Sequence, residues 1–166
     1  MSTPAFILIT FAKNTIEFRR HWGGDPVING SEMLDLLQSA ETIKPRPHFH
    51  TGSWLLRLMF ADGDHGGTSL PTYEAYDRED DVYGDWNFAY HFRCNVDGKW
   101  MIGLVKNCDG EPWSEIEPNA TWYTPEEFRT YIDNKFVEDQ KNGIGYDIQV
   151  REDFLRQLKS GGASSV

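Results

Sequence analysis

A period-two alternation opens at Asn87. Phe88, Tyr90, Phe92 and Cys94 alternate with Asn87, Ala89, His91 and Arg93, then come Asp97-Gly98 and a second β-rich run from Trp100 to Lys106. Alternation on both sides of a DG pair predicts a hairpin over 87–107. One face of such a hairpin must be covered by a core.

Other stretches follow different periods. "AFILITFA", residues 5–12, is short and apolar and predicts a buried strand. The next stretch, broken by Gly23, Gly24, Pro26 and Gly30, reads as connecting structure with Ile16 and Phe18 on a short second strand. Ser31 is a good N-cap, with Glu32 and Asp35 in the first turns and Met33, Leu34, Leu36 and Leu37 as an apolar face, which predicts a helix over 31–40. "KPRP", 44–47, forces an extended entry into "TGSWLLRLMF", whose continuous apolar character reads as a strand buried on both faces.

The clearest helix pattern spans 125–142. Thr124 stands as N-cap, Pro125 at the first helical position and Glu127 where a capping box needs it. Phe128, Tyr131, Ile132 and Phe136 then form one stripe, and Gly143 is placed to stop the helix. Val150, Phe154, Leu155 and Leu158 predict a further helix over 150–160. The sum is a single α+β domain over 1–160, with a mainly antiparallel sheet, a central 87–107 hairpin and two or three covering helices. Residues 161–166, "GGASSV", are expected to form a flexible tail.

Composition adds bounds. The 166 residues are 39% hydrophobic and 14% aromatic, enough to build one core. No run approaches the roughly 18 apolar residues a spanning helix needs, and "FILITFA" lacks a basic leader and a cleavage site. The expectation is a soluble, cytoplasmic chain. Cys94 and Cys108 have no second pair to form a zinc or CxxC framework, and read as two reduced thiols in or near the core rather than a disulfide or redox pair.

Two histidines invite a metal reading. His48 and His50 share one side of an extended chain and could supply two ligands. Further ligands would come from Asp62, Asp64 or His65, but if 51–60 is a strand these lie roughly 40 Å further on at about 3.3 Å per residue. No known ordered ligand pattern fits, so turn and rim histidines are the preferred reading and no cofactor is expected. "DREDD", 77–81, lacks the EF-hand spacing and reads as a solvated acidic loop. The chain has no GxxxxGK[ST], GxGxxG or GxSxG.

Charge changes the picture most. The net charge is −10, and residues 62–127 hold 15 acids against 4 bases, while the rest of the chain is nearly balanced. Tyr73, Tyr76, Tyr83, Trp86, Trp113, Trp122 and Tyr123 fall in the same segment. Aromatics supply contact area and carboxylates steer a cationic partner. Such a field repels phosphates, so direct nucleic-acid binding is disfavoured, whereas a protein with a basic, nucleic-acid-binding cleft is a natural partner.

The sequence therefore predicts a non-enzymatic, acidic, cytoplasmic inhibitor. It would block a basic site on a partner such as a nuclease toxin or a nucleic-acid-binding defence complex, as an immunity or anti-defence protein does. Its contact residues would be Glu74, Tyr76, Asp77, Glu79, Asp80, Asp81, Tyr83, Asp85 and Trp86, with the carboxylates replacing phosphate contacts. The alternative is a small cavity hydrolase or isomerase, metal-dependent or not. It would use His50 or His91 as base with Asp64 or Glu74. A third reading, sugar binding through Trp113 and Trp122, rests on composition alone.

Overall fold

A computed structural model describes residues 3–20, 23–42, 52, 55–56, 74–75, 86–108 and 111–145. Strand β1 (Ala5–Phe11) turns directly into β2 (Asn14–Arg20), and the two pair antiparallel from Ala5↔Arg20 to Phe11↔Asn14. The two-residue connection carries positive φ at both positions, Ala12 at 46° and Lys13 at 68°. That is the backbone of a primed hairpin turn, built without the Asn or Gly that usually fills it.

Strand β3 (Glu74–Ala75) adds two residues to the outer side of β2. Strand β4 (Trp86–Cys94) enters on the other side of β1 and runs parallel to it, Ala5↔Phe88 to Thr10↔Arg93. Strand β5 (Trp100–Cys108) returns antiparallel to β4, and β6 (Thr121–Tyr123) closes the order β3-β2-β1-β4-β5-β6. The fold is α+β with an open mixed sheet. The hairpin expected over 87–107 is β4–β5, but it stands to one side; the middle of the sheet is the parallel β1–β4 pair.

The β4–β5 turn follows its sequence closely. The Gly98 amide donates to the Asn95 carbonyl at 2.9 Å, the Asn95 amide to the Lys99 carbonyl at 2.8 Å, and Gly98 takes φ of 81°. Asp97 Oδ1 accepts from the Lys99 amide at 3.1 Å. Glycine is required here because the last turn residue is left-handed.

One face of the sheet carries the main core. Ile7, Ile9, Phe18, Tyr90, Phe92 and Ile102 are fully buried there against α1 (Ser31–Thr42) and α3 (Pro125–Lys141). Each such side chain contributes about 1.5–3 kcal/mol when taken from water. Helix α3 has both halves of its capping box: the Glu127 amide donates to Thr124 Oγ1 and the Thr124 amide to Glu127 Oε2. It ends as expected at Gly143, with φ of 76°, the Ile144 amide donating to the Asp139 carbonyl and the Gly143 amide to that of Gln140.

The helical segment before α1 begins earlier than its sequence suggests. A π-helical turn, Pro26–Gly30, runs straight into Ser31, so the N-cap is Asp25, whose Oδ1 accepts from the Val27 and Ile28 amides. Pro26 is the helical starter in what reads as a loop. Gly30 explains its own presence: a Cβ there would sit 3.0 Å from Ile132 Cδ1 and 3.1 Å from Phe128 Cε1. Its bareness lets α3 approach.

The described residues within 51–60 also depart from expectation. Gly52, Leu55 and Leu56 are helical, not extended, and Leu55 is fully buried. Leucine is a strong helix former without β-branching, so at Leu55 and Leu56 helix propensity prevails over the apolar-run reading. A Cβ on Gly52 would fall 2.2 Å from Phe11 Cγ, which shows how tightly this turn meets the end of β1. The expected helix at 150–160 and the tail 161–166 lie outside the described residues.

Candidate functional site

The second face of the sheet is where polar chemistry gathers. Phe6, Leu8, Ala89 and Val105 form a smaller apolar cluster there, roofed by Trp113 and Ile116 of the short helix α2 (Trp113–Ile116) and by Trp122 of β6. Alternation correctly turns His91 away from the main core. It cannot show that residues 113–122 return to cover it, and His91 is in fact buried, with 8% of its surface exposed.

His91 stands in a row that crosses four strands: Leu8, His91, Gly103 and Trp122 are successive register partners. Its ring meets Trp113 edge-on at 5.2 Å and Trp122 at 5.6 Å. Nε2 shares a 2.8 Å hydrogen bond with Thr10 Oγ1, which in turn bonds Thr15 Oγ1 at 2.9 Å. Burial, with help from the Arg93 guanidinium, lowers its pKa to about 4. The imidazole is therefore neutral at pH 7 and a weak base.

Arg93 lies over Trp122, 4.2 Å from the ring centroid, and reaches Glu117 at 3.9 Å. His91 Nδ1, Trp113 Nε1 and Arg93 Nε are buried without a hydrogen-bond partner among the described residues. Both indoles are engaged inside the fold. Trp113 is buried, and Trp122 lies on Gly103 with Arg93 stacked over its ring, so neither offers the open face that sugar stacking needs.

The enzyme alternative pairs His91 with Glu74. Glu74 sits on β3 opposite Arg19, three strand spacings from β4, roughly 14 Å by sheet geometry alone. The fold does not bring the two together. His50, Asp64, and the metal candidates His48 and His50 lie outside the described residues, and so do Asp62 and His65. The separation argued for these groups loses its basis, because it assumed a strand where Gly52, Leu55 and Leu56 are helical. Among the described residues no three His, Cys, Asp or Glu side chains are grouped to hold a metal ion.

Of the predicted contact residues, Glu74 and Trp86 are described. Trp86 is half-buried, opposite Cys108 at the start of β4, with its ring 6.1 Å from Phe6. Part of it belongs to the second cluster. Tyr76, Asp77, Glu79, Asp80, Asp81, Tyr83 and Asp85 lie outside the described residues.

The acid-rich segment is better seen further on. Residues 111–127 contain Glu111, Glu115, Glu117, Glu126 and Glu127 and no Lys or Arg. All but Glu117, which is half-exposed, are exposed. Both thiols are free, Cys94 half-buried and Cys108 buried. They cannot form a disulfide within the chain: Cys94 pairs with Trp100 and Cys108 with Trp86, at opposite ends of the β4–β5 ladder, about 26 Å apart at strand rise.

Among the described residues no helix is long and apolar enough to cross a membrane. No protein-family model, no characterised protein and no solved structure matches the chain.

Proposed function

We propose that the protein is an acidic inhibitor that occupies a basic site on a partner protein, in the manner of an immunity or anti-defence protein. The observation that supports this reading is the concentration of charge, 15 acids against 4 bases over residues 62–127. Its final portion, 111–127, carries five acids and no base, with four of the five exposed. Fixed carboxylates raise the encounter rate with a basic surface and penalise anionic competitors. A cleft evolved for phosphates is the commonest surface of that kind, so the partner class is a nuclease or nucleic-acid-binding protein.

Glu74 and Trp86 stand roughly 17 Å apart by strand spacing and rise. That span fits within one standard interface of about 800 Å² per partner. The segment between them, 76–85, supplies the remaining contacts.

The test is binding to partner proteins with basic nucleic-acid sites, read by association kinetics and by displacement of bound nucleic acid. The expected result is an on-rate that falls steeply with salt, and loss of displacement when Glu74, Asp77, Glu79, Asp80, Asp81 and Asp85 are neutralised together. Binding indifferent to salt and to that neutralisation would overturn the reading.

A further inference from the structure

Residues 113–123 cross the second face of the sheet as a strap made of helix α2, a 3₁₀ turn (Glu117–Asn119) and strand β6. Its backbone is tied to the sheet through β6, by the three register pairs from Ile102↔Tyr123 to Leu104↔Thr121. Further back, the Glu115 and Ile116 amides donate to the Pro112 carbonyl and the Ala120 amide to that of Glu117. Those bonds are local to the strap. Neither α2 nor the 3₁₀ turn has a side-chain cap.

What holds the strap down is a small apolar contact. Trp113 and Ile116 are buried and Trp122 is half-buried, in one cluster with Phe6, Leu8, Ala89, Val105 and Cys108. The main core, by contrast, takes side chains from β1, β2, β4, β5, α1 and α3. Arg93 adds a polar clasp, 4.2 Å from the Trp122 ring centroid and 3.9 Å from Glu117. That ion pair is 40% and 39% exposed, and pairs so open to water contribute little.

Closure also leaves polar groups unmet. His91 Nδ1 and Arg93 Nε on the sheet, and Trp113 Nε1 on the strap, are buried without a hydrogen-bond partner among the described residues. Water reaches these groups when the strap lifts, so opening restores hydrogen bonds that closure forgoes. A small apolar contact combined with unmet polar groups marks a unit that opens well below the free energy of global unfolding.

We propose that residues 113–123 are a hinged strap, which lifts from the second face as a unit while the main core stays folded. Thr124 and the capping box of α3 form its fixed end. The lifted state uncovers Phe6, Leu8, Ala89 and Val105 beside His91 and Arg93, an apolar sheet face that the closed state hides. This device is independent of the acidic-inhibitor reading.

Cys108 is a built-in probe, since it is 1% exposed and belongs to the cluster that the strap closes. The full chain is treated with iodoacetamide in the absence of denaturant, and alkylation of Cys108 is followed by peptide mass, apart from that of the half-buried Cys94. Two variants separate the routes to the thiol. Ile116→Val weakens the strap contact, and Ile9→Val weakens the main core. The expected result is alkylation of Cys108 about two- to tenfold faster in Ile116→Val, the factor an Ile→Val change gives an opening that breaks its contacts, and unchanged in Ile9→Val. Acceleration by Ile9→Val, alone or equally with Ile116→Val, would mean that Cys108 is reached only by global unfolding and would sink the strap. Alkylation that neither variant changes would sink it too, because the thiol would then be reached without the strap moving.

Discussion

The indole of Trp122 lies across the backbone of Gly103, its register partner on the neighbouring strand. A Cβ on Gly103 would meet Trp122 Cη2 at 3.0 Å and Cζ2 and Cζ3 at 3.1 Å. Glycine in a strand interior normally weakens it, yet here the bare backbone is the seat for an aromatic ring. Because Trp122 settles this low, its ring comes beside His91 and under Arg93, and the second face of the sheet closes over its polar groups.

Gly103→Ala is therefore expected to lift Trp122 and loosen its stacking with Arg93. The cost should be about 1–3 kcal/mol, the usual range for an added methyl in a filled site. Urea denaturation reads the loss, and a red shift of tryptophan emission reads the lifted ring. An unchanged midpoint with unchanged emission would show that Trp122 does not depend on this contact.

His91 gives the fold an acid sensitivity whose sign follows from its lowered pKa. It titrates near 6.5 when unfolded and about 4 in the fold. Between those values the unfolded chain binds a proton that the folded one refuses, so this contribution is complete above about pH 6.5. It is lost on acidification toward pH 4, on the order of 3 kcal/mol in all. Asp25 and Glu41, whose carboxyls are raised by burial, act in the opposite direction at the acid end of the range. The comparison that isolates His91 is with His91→Phe, which keeps a ring between Trp113 and Trp122 and cannot take a proton. Its stability relative to the parent should rise as pH falls from 6.5 to 4; a constant difference would refute the assignment.

The buried pair of Arg20 and Glu32 joins the end of β2 to the start of α1. Arg20 Nη1 donates to Glu32 Oε2 and, at 3.3 Å, to Asn29 Oδ1; the two ionic residues are 6% and 1% exposed. Glu32→Ala removes the carboxylate from a buried guanidinium, and the expected loss is about 3 kcal/mol or more. The double variant Arg20→Met/Glu32→Leu should recover most of it, because an apolar pair leaves no buried charge. Denaturation midpoints of the three chains measure both effects, and a mild single variant would place the Arg20 charge in solvent.

How much of this was legible follows from which signals are local. Asp97-Gly98 and the Thr124–Glu127 box are complete within a few residues, so the β4–β5 turn and the limits of α3 could be read directly. The parallel pairing of β1 with β4 could not, because nothing in Ala5–Phe11 names a partner some 80 residues away in sequence. Asp25-Pro26 is itself a helix start, but Gly23, Gly24 and Gly30 around it imitate a loop. At Gly52, Leu55 and Leu56 period alone could not separate a buried strand from a buried helical turn. His91 was legible as a residue off the main core. Its burial depends on Trp113 and Trp122, which only tertiary folding brings over it.

The turn between β1 and β2 offers the most direct test of local backbone strain. Ala12 and Lys13 both hold positive φ, a region that costs an L-residue with a Cβ roughly 1 kcal/mol. Asn14 Nδ2 bonds the Ala12 carbonyl at 3.2 Å and helps to hold the turn, but the strain itself remains. Replacing Ala12-Lys13 by Asn-Gly supplies the pair that this turn prefers, without touching the seven-residue register from Ala5↔Arg20 to Phe11↔Asn14. The expected gain is about 1–2 kcal/mol in denaturation free energy. The added glycine frees the unfolded chain as well, so the gain should fall short of the summed strain. A variant less stable than the parent would mean that Ala12 and Lys13 are not held in this conformation in solution.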